Sequence, residues 1–574
     1  MPNQNSKTAL RNLAPIMLAA STVACAFGAP APKALVVMID GMRADTVDNG
    51  FAPNIRRLAD GKWQPGYHGA WSLGASTLRD GSTESAPNHV GIATGMTVAK
   101  SGIDWNYDLI VKGTETRKLP TWLARLKLPT TSYHLPTTNC FKALHIFAWY
   151  GDLRLSPDYG VQFIFDRDKA NAQTLVKLMA DSEAPDAIMW YIDLPDEAGH
   201  GHGYYPYSKE YQEAVRTSDG YIGEVLAAIA ARPTFANEDW LVIITADHGG
   251  WDRFHGQRCT QCYTVPFVVA GRDVAQGPLP GVPHNYDAAP TALAHFGVDV
   301  SKIDFDGQVR GYGRAVSPRP PQTLADGLAV YLPFSDGAAS NNGYATDVTA
   351  ELRGNATLIA DGAVGDALRV SAATNSAGSV CLKGSERLKF ENGAEFAFAG
   401  WVRTFGPQVG DPLVFGNKNW EGGSNPGIAL IASRGVDMRR VCNWNVKKRC
   451  SEFGFMFNCG RGGKKREDLG AYNPDFGQWT FYAATRGADG VVHFYQGRRD
   501  GYLYCVADDL SDIAFGTGMP VFIGQDGRGV YRHAFVGDVD EFAIWTRTLT
   551  HEEVRRIYEA GLAGKALSAL TLQK

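Results

Sequence analysis

Four short segments of the chain hold side chains that could do metal-assisted chemistry. Asp40 ends the apolar run Leu35–Ile39 and opens Gly41-Met42-Arg43-Ala44-Asp45. A carboxylate there either ligates a cation or caps a helix. Ser85 begins Ser85-Ala86-Pro87-Asn88-His89. A serine beside a Pro-initiated helix reads as a cap, yet the same geometry aims backbone N–H groups and the positive helix end at whatever anion sits there. Asp196 and His200 are four apart in Asp196-Glu197-Ala198-Gly199-His200, so one helical turn or a tight loop puts both on one side. Asp247 and His248 are adjacent, and His255 follows the glycine pair Gly249-Gly250. Carboxylate and imidazole together suit zinc or a similar borderline ion. Each segment alone has a plain structural reading, and only their joint occurrence favours chemistry.

These side chains need elements to hold them. Leu35–Ile39, Ala187–Ile192 and Trp240–Thr245 are short apolar runs, as in parallel strands buried on both faces. Tyr211–Ala231 is amphipathic and reads as a helix. Alternation of this kind predicts an α/β domain, a mostly parallel sheet between helices, with ligands beyond the C-terminal strand ends, where Asp40, Asp193 and Asp247 fall. The character changes at Ser317-Pro318-Arg319-Pro320-Pro321, a linker over 317–324. Beyond it, alternating runs such as Glu395–Val402 and Trp479–Ala483 between Gly and Asn turns predict an all-β second domain, closed by a helix from His551 to Ala560.

The chain has 574 residues, 44% of them hydrophobic and 20% charged, with net charge −4. That allows two cores and gives no global sign of nucleic-acid or anionic-membrane binding. Lys7 and Arg11 before the apolar run Leu13–Ala20 and small residues through Ala29 have the order of a signal peptide, residues 1–29, which implies a secreted or periplasmic protein. Thr22-Val23-Ala24-Cys25 only faintly matches a lipoprotein box, since it lacks the usual leucine. Eight cysteines remain after Cys25, an even number that suggests disulfides in an exported chain, and Cys259-Thr260-Gln261-Cys262 suggests a local one.

Taken in order, the strand-Asp-Gly-x-Arg-Ala-Asp opening, the Ser85-Ala86-Pro87-Asn88-His89 loop, Pro195-Asp196-Glu197-Ala198-Gly199-His200 and Ala246-Asp247-His248-Gly249 resemble the alkaline phosphatase superfamily. Within it, residues 30–316 are most similar to type I phosphodiesterases/nucleotide pyrophosphatases. The resemblance implies two divalent metal ions, expected to be Zn2+. One would be held by Asp40, Asp247 and His248 with Ser85 bridging, the other by Asp196, His200 and a further histidine. His255 is preferred for that place and His284 is the runner-up. It also implies that Ser85 is the nucleophile of phosphate-ester cleavage and that Asn106 donates to a non-bridging phosphate oxygen.

Ser85-Ala86-Pro87 is followed by Asn88 and His89 rather than by the Ser-Arg of the sulfatase pattern, so a sulfatase is not expected. A neutral amide suits a singly charged diester, whereas a guanidinium clamp would suit a monoester dianion. The expected substrate is therefore a small-molecule or glycan-linked phosphodiester. A phosphomonoesterase and a non-catalytic glycan-binding surface protein are the alternatives.

From 325 to 567 the chain resembles the laminin-G/concanavalin A-like jelly roll, most specifically in Gly537–Trp545 and the following Leu549–Val554. That fold implies a glycan ligand or a structural companion role, and allows a Ca2+ ion for which the sequence names no ligands. The basic stretch Arg439–Arg466 reads as a solvated loop. The oligomeric state is not assigned.

Overall fold

The computed structural model describes residues 30–571 except 110–119, 128–140, 149–154, 156–160, 183, 206, 257–258, 314–321, 336, 372–377, 385–387, 392, 422–424, 433–454, 461–465 and 473. The expected signal peptide over 1–29, Cys25, Cys140, Cys442, Cys450, most of the expected linker and most of the basic stretch lie outside the described residues.

The N-terminal domain is built on strands β1 (Ala31–Ile39), β2 (His68–Ser76), β3 (Ala143–Phe147), β4 (Gln162–Phe165), β5 (Ala187–Ile192), β6 (Glu238–Ala246), β7 (Thr264–Gly271) and β8 (Gly277–Pro278). They form one sheet in the order β4-β3-β5-β1-β6-β7-β2-β8. β1 pairs in parallel with β5 and β6, and β7 runs antiparallel to both of its neighbours. The central strands are apolar because both faces are covered: every residue of β5 is buried, as are Ala34–Ile39 and Leu241–Ala246. Helix Lys209–Ala230 buries Val215, Ile222, Val225 and Ile229 at helical spacing. The parallel register brings Ile39 level with Ile192 and Ala246, so Asp40, Asp193 and Asp247 leave the sheet side by side.

The second domain consists of two antiparallel sheets whose strands contribute Phe398, Phe415, Phe494 and Phe542 to one core. Helix His551–Leu562 closes it with a capping box at Thr550 and Glu553. This is the expected α/β sheet followed by an all-β jelly roll. Among the described residues no helix is long and apolar enough to cross a membrane.

The domains share a polar and aromatic seam. The Asn49 amide pairs with both backbone groups of Leu503 at 2.9 Å, as an added strand would. Arg79 forms a bidentate pair with Asp508 at 2.8 and 3.0 Å. Trp251, Cys259 and Cys262 pack into the jelly-roll core. The Cys259 and Cys262 sulfurs stand 3.4 Å apart as thiols, so the structure does not form the local disulfide expected there. Buried Cys381 and Cys505 are likewise thiols.

Candidate metal centre and nucleophile

Asp40 and Asp247 sit at the C-terminal ends of adjacent strands, and their backbone is fixed by the ladder. Asp247 Oδ1 accepts the N–H groups of Gly41 at 3.1 Å and His248 at 2.8 Å. Its Oδ2, and Asp40 Oδ1, are buried and face imidazole Nε2 atoms, of His89 at 3.2 Å and His248 at 3.1 Å. Asp196 and His200 lie on helix Leu194–His202, one turn apart, with His200 Nε2 at 3.4 Å from Asp196 Oδ2. His255 comes from the loop after β6, its Nε2 at 3.1 Å from His200 Nε2 and 3.7 Å from Asp196 Oδ1. His248 Nε2 is 3.1 Å from Asp40 Oδ1 and 3.4 Å from Asp247 Oδ2. Ser85 is the first residue of helix Ser85–Thr94, with Glu84 in the cap position, and its Oγ is 3.5 Å from His248 Nε2.

Three imidazoles are locked the same way. Nδ1 of His200 meets Arg253 O at 2.9 Å, that of His248 meets Gly249 O at 2.7 Å, and that of His255 meets Thr83 O at 3.1 Å. A carbonyl only accepts, so each Nδ1 carries the proton and Nε2 is left to face the carboxylates, the arrangement that fixes metal-ligating histidines. The electrostatics agree. Burial, with Asp196 and Asp247 nearby, pushes Asp40 well above the usual carboxylate range. Burial alone would lower His248, but Asp247, Asp40 and Asp196 outweigh it and hold it well above the ordinary imidazole value. Burial and His248 push His255 down to about 3. Gathering buried carboxylates without cations costs roughly several kcal/mol per ion, so the cluster calls for positive charge at its centre. The donor set of carboxylates and Nε2 atoms fits divalent ions.

Every residue expected at the site is brought together here, including Asn106, whose Oδ1 accepts the Ala86 N–H at 2.8 Å. That bond fixes the amide orientation and leaves Nδ2 as its donor. Glu84 tethers the same loop through the Asn106 N–H at 2.8 Å. His284 is not at the cluster: its ring stacks on Tyr286 and its N–H donates to Asp287.

Sequence reasoning missed three participants, and it placed Asp193 at the strand ends without giving it a role. His89, one turn beyond Ser85 and fully buried, places Nε2 3.2 Å from Asp247 Oδ2. Its four-residue spacing from Ser85, the same as in Asp196/His200, was the available signal. Tyr191 OH lies 2.6 Å from Asp40 Oδ2 and 2.7 Å from Asp193 Oδ1. Tyr191 and Asp193 are two apart, and this period sets residues on one strand face. Tyr204 OH donates to Asp196 Oδ1. Its ring fills the space at Gly41 and Gly250, where a Cβ would come within 2.9 and 2.2 Å of it. Asp193 forms a further close carboxylate group with Asp40 and Asp196. Among the described residues, all groups of three or more His, Cys, Asp or Glu side chains close enough to share an ion are in this domain, and the jelly roll supplies none for the Ca2+ its fold allows.

Residues 34–253 match the family model "Type I phosphodiesterase / nucleotide pyrophosphatase", and residues 374–555 match "Concanavalin A-like lectin/glucanases superfamily". The first match ends just before His255. An uncharacterised pyrophosphatase/phosphodiesterase of Schizosaccharomyces pombe is 26% identical over 230 residues, 38% of this chain and 44% of that one. Venom phosphodiesterase 2 of Crotalus adamanteus is 25% identical over 241 residues, 39% of this chain and 28% of its own length. The chain thus spans less than half the length of these curated relatives. Among solved structures, murine ectonucleotide pyrophosphatase/phosphodiesterase 5 aligns at 12% identity and TM-score 0.36, over 48% of this chain and 97% of that one. The chain carries a type I phosphodiesterase/nucleotide pyrophosphatase-like domain of the alkaline phosphatase superfamily, followed by a concanavalin A-like domain.

Proposed function

We propose that the protein is a phosphodiesterase that uses Ser85 as nucleophile and binds two divalent ions, with zinc as the natural metal. The observation that carries this reading is the set of three histidines, each tied through Nδ1 to a backbone carbonyl and presenting Nε2 to the carboxylates of Asp40, Asp247 and Asp196 beside Ser85. Asp40, Asp247, His248 and Ser85 would hold one ion, and Asp196, His200 and His255 the other. When bound, such ions lower the pKa of a hydroxyl and neutralise phosphoryl and leaving-group oxygens.

The chain's own residues do the rest. Helix Ser85–Thr94 presents its N-terminus, and its partial positive charge, to the phosphoryl group. Asn106, oriented by Ala86, donates Nδ2 to a non-bridging oxygen and supports the charge that develops in the transition state. Ser85 Oγ loses its proton to solvent and attacks phosphorus in line. The new Oγ–P bond forms as the ester P–O bond breaks, and the departing alcohol takes a proton from water. Water then displaces Ser85. Amide donors match the single negative charge of a diester.

In the same reading residues 1–29 direct export, and the concanavalin A-like domain binds a glycan. The substrate is a small-molecule or glycan-linked phosphodiester.

The test is an ester panel of bis-p-nitrophenyl phosphate, p-nitrophenyl phosphate and p-nitrophenyl sulfate, run before chelation, after it, and after zinc is returned. Diester cleavage that chelation abolishes and zinc restores is expected. Full activity in the metal-stripped protein, or a preference for the sulfate ester, would overturn the proposal.

A further inference from the structure

The loop that carries His255 is gripped by the other domain. Trp251, between His248 and His255, forms a bridge with Phe254 at 2.9 and 3.0 Å. Its indole packs into the jelly-roll core and stacks on Tyr472 with ring centroids 4.8 Å apart and planes 18° from parallel. Tyr472 belongs to the jelly roll, where the side-chain amide of Gln496 pins its backbone on both sides, at 3.2 Å to its N–H and 2.7 Å to its carbonyl.

Tyr472 reaches the site by two further routes. Its hydroxyl donates to Tyr204 O at 3.4 Å. Tyr204 in turn donates its N–H to Asp252 O at 2.6 Å and its hydroxyl to Asp196. The same Tyr472 oxygen accepts from Arg43 Nη1 at 3.3 Å, and that nitrogen also donates to Gly250 O at 3.2 Å. The Arg43 guanidinium is buried, paired with Asp45 and lies over the rings of Tyr504 and Tyr472 at 5.0 and 5.8 Å. One jelly-roll side chain thus touches the indole on the His255 loop, the tyrosine that orients Asp196, and the arginine that holds Gly250.

We infer that Tyr472 is a positioning residue for the Asp196/His200/His255 half of the metal site, and that the concanavalin A-like domain is an integral part of that site rather than a detachable appendage. The inference rests on the two-ion reading above. The Asp40/Asp247/His248 half has its own support in the strand ladder, so the dependence on Tyr472 is unequal between the two ions. Supporting partners of ligands typically change metal affinity about 10–100-fold.

The experiment uses full-length protein and its Tyr472→Phe, Tyr472→Leu and Trp251→Leu variants. Zinc per chain is measured by elemental analysis and zinc affinity by calorimetric titration, with the visible spectrum of the Co2+-loaded protein as a separate readout. Wild type is expected to bind two ions. Tyr472→Phe keeps the stack but loses the hydroxyl's bonds to Tyr204 and Arg43, and is expected to keep both ions with the second held more weakly than in wild type and more tightly than in the leucine variants. Tyr472→Leu and Trp251→Leu are each expected to retain the tighter ion, to bind the second about 10–100-fold more weakly, and to lose one component of the Co2+ spectrum. Circular dichroism identifies the folded variants, and either leucine variant alone suffices. A folded leucine variant that binds both ions as wild type does, or that loses both equally, overturns the inference. A wild type that binds no ion overturns the two-ion reading itself.

Discussion

The two halves of the candidate metal site solve one problem with different materials. Asp40 and Asp247 extend from neighbouring strands in the middle of an eight-stranded sheet, where Ile39 and Ala246 are paired in register. Their separation is set by the ladder, and Ser85 is set by the start of a buried helix. In the other half, Asp196 and His200 share one helix, but His255 arrives on a loop that depends on Trp251 and a tyrosine of the second domain. Regular elements hold side chains more precisely than loops do. The loop half therefore gains rigidity from outside its own domain, whereas in the strand half the carboxylates start from paired strands and the second domain reaches only the segment beyond them, through Arg43 and Asp45.

The largest expected effect lies in the strand half. Ser85→Ala is expected to lower kcat by about 10^4-fold or more while both ions remain bound, as elemental analysis would show. Turnover close to wild type would remove Ser85 from the nucleophile's place. Asn106→Ala should lower kcat by about 10^2–10^3-fold with diester substrate, again without changing metal content. A variant that lost metal instead would make Asn106 a structural tether. The loop half is probed by His255→Ala, which removes a proposed ligand and should weaken the second ion by more than the roughly 10–100-fold expected for loss of a supporting partner, and leave the first in place. His284→Ala is expected to leave both ions, because its ring packs against Tyr286 away from the cluster. If the two histidine variants exchanged these outcomes in calorimetric titration, the boundary between the halves would have to be redrawn.

The placement of the strand half was legible in the sequence because that signal is local, whereas its expected role as a ligand set came from the order of all four segments and the resemblance they carry. An apolar run ending in aspartate states both the strand and the place where the side chain leaves it, and Asp40 and Asp247 were readable on those terms. The pair Asp196/His200 was readable from helical spacing. What supports the loop half was not, because it is made by contacts between distant residues. Tyr472 lies 429 residues from Arg43. Nothing in the composition near Tyr472 marks it as part of a metal site. Tyr204 was also silent, because its role depends on glycines at positions 41 and 250 leaving room for its ring. The expected disulfide at Cys259 and Cys262 failed for a related reason. The spacing allowed a bond, but the two sulfurs are packed as thiols in the second domain's core.

The smallest expected effects sharpen the comparison most directly, because the same chemical change can be made in each half. Tyr191 and Tyr204 each donate a hydroxyl to a candidate ligand carboxylate, Asp40 in the strand half and Asp196 in the loop half. The Asp40 side chain is 3% exposed and that of Asp196 14%. Water can therefore replace part of what Asp196 loses in Tyr204→Phe, and cannot do so for Asp40 in Tyr191→Phe. Leaving a buried acceptor without its donor costs about 1–3 kcal/mol, whereas a bond that water can replace contributes nearer 0.5–1.5 kcal/mol. In metal-free protein, denaturant unfolding should show Tyr191→Phe as the more destabilised of the two. In zinc-loaded protein the gap should narrow, because a cation beside Asp40 gives that carboxyl the partner it lost with the hydroxyl. Equal losses in the metal-free state, or a larger loss for Tyr204→Phe, would mean that the loop half is as dry and as closely held as the strand half, and the contrast between them would fail.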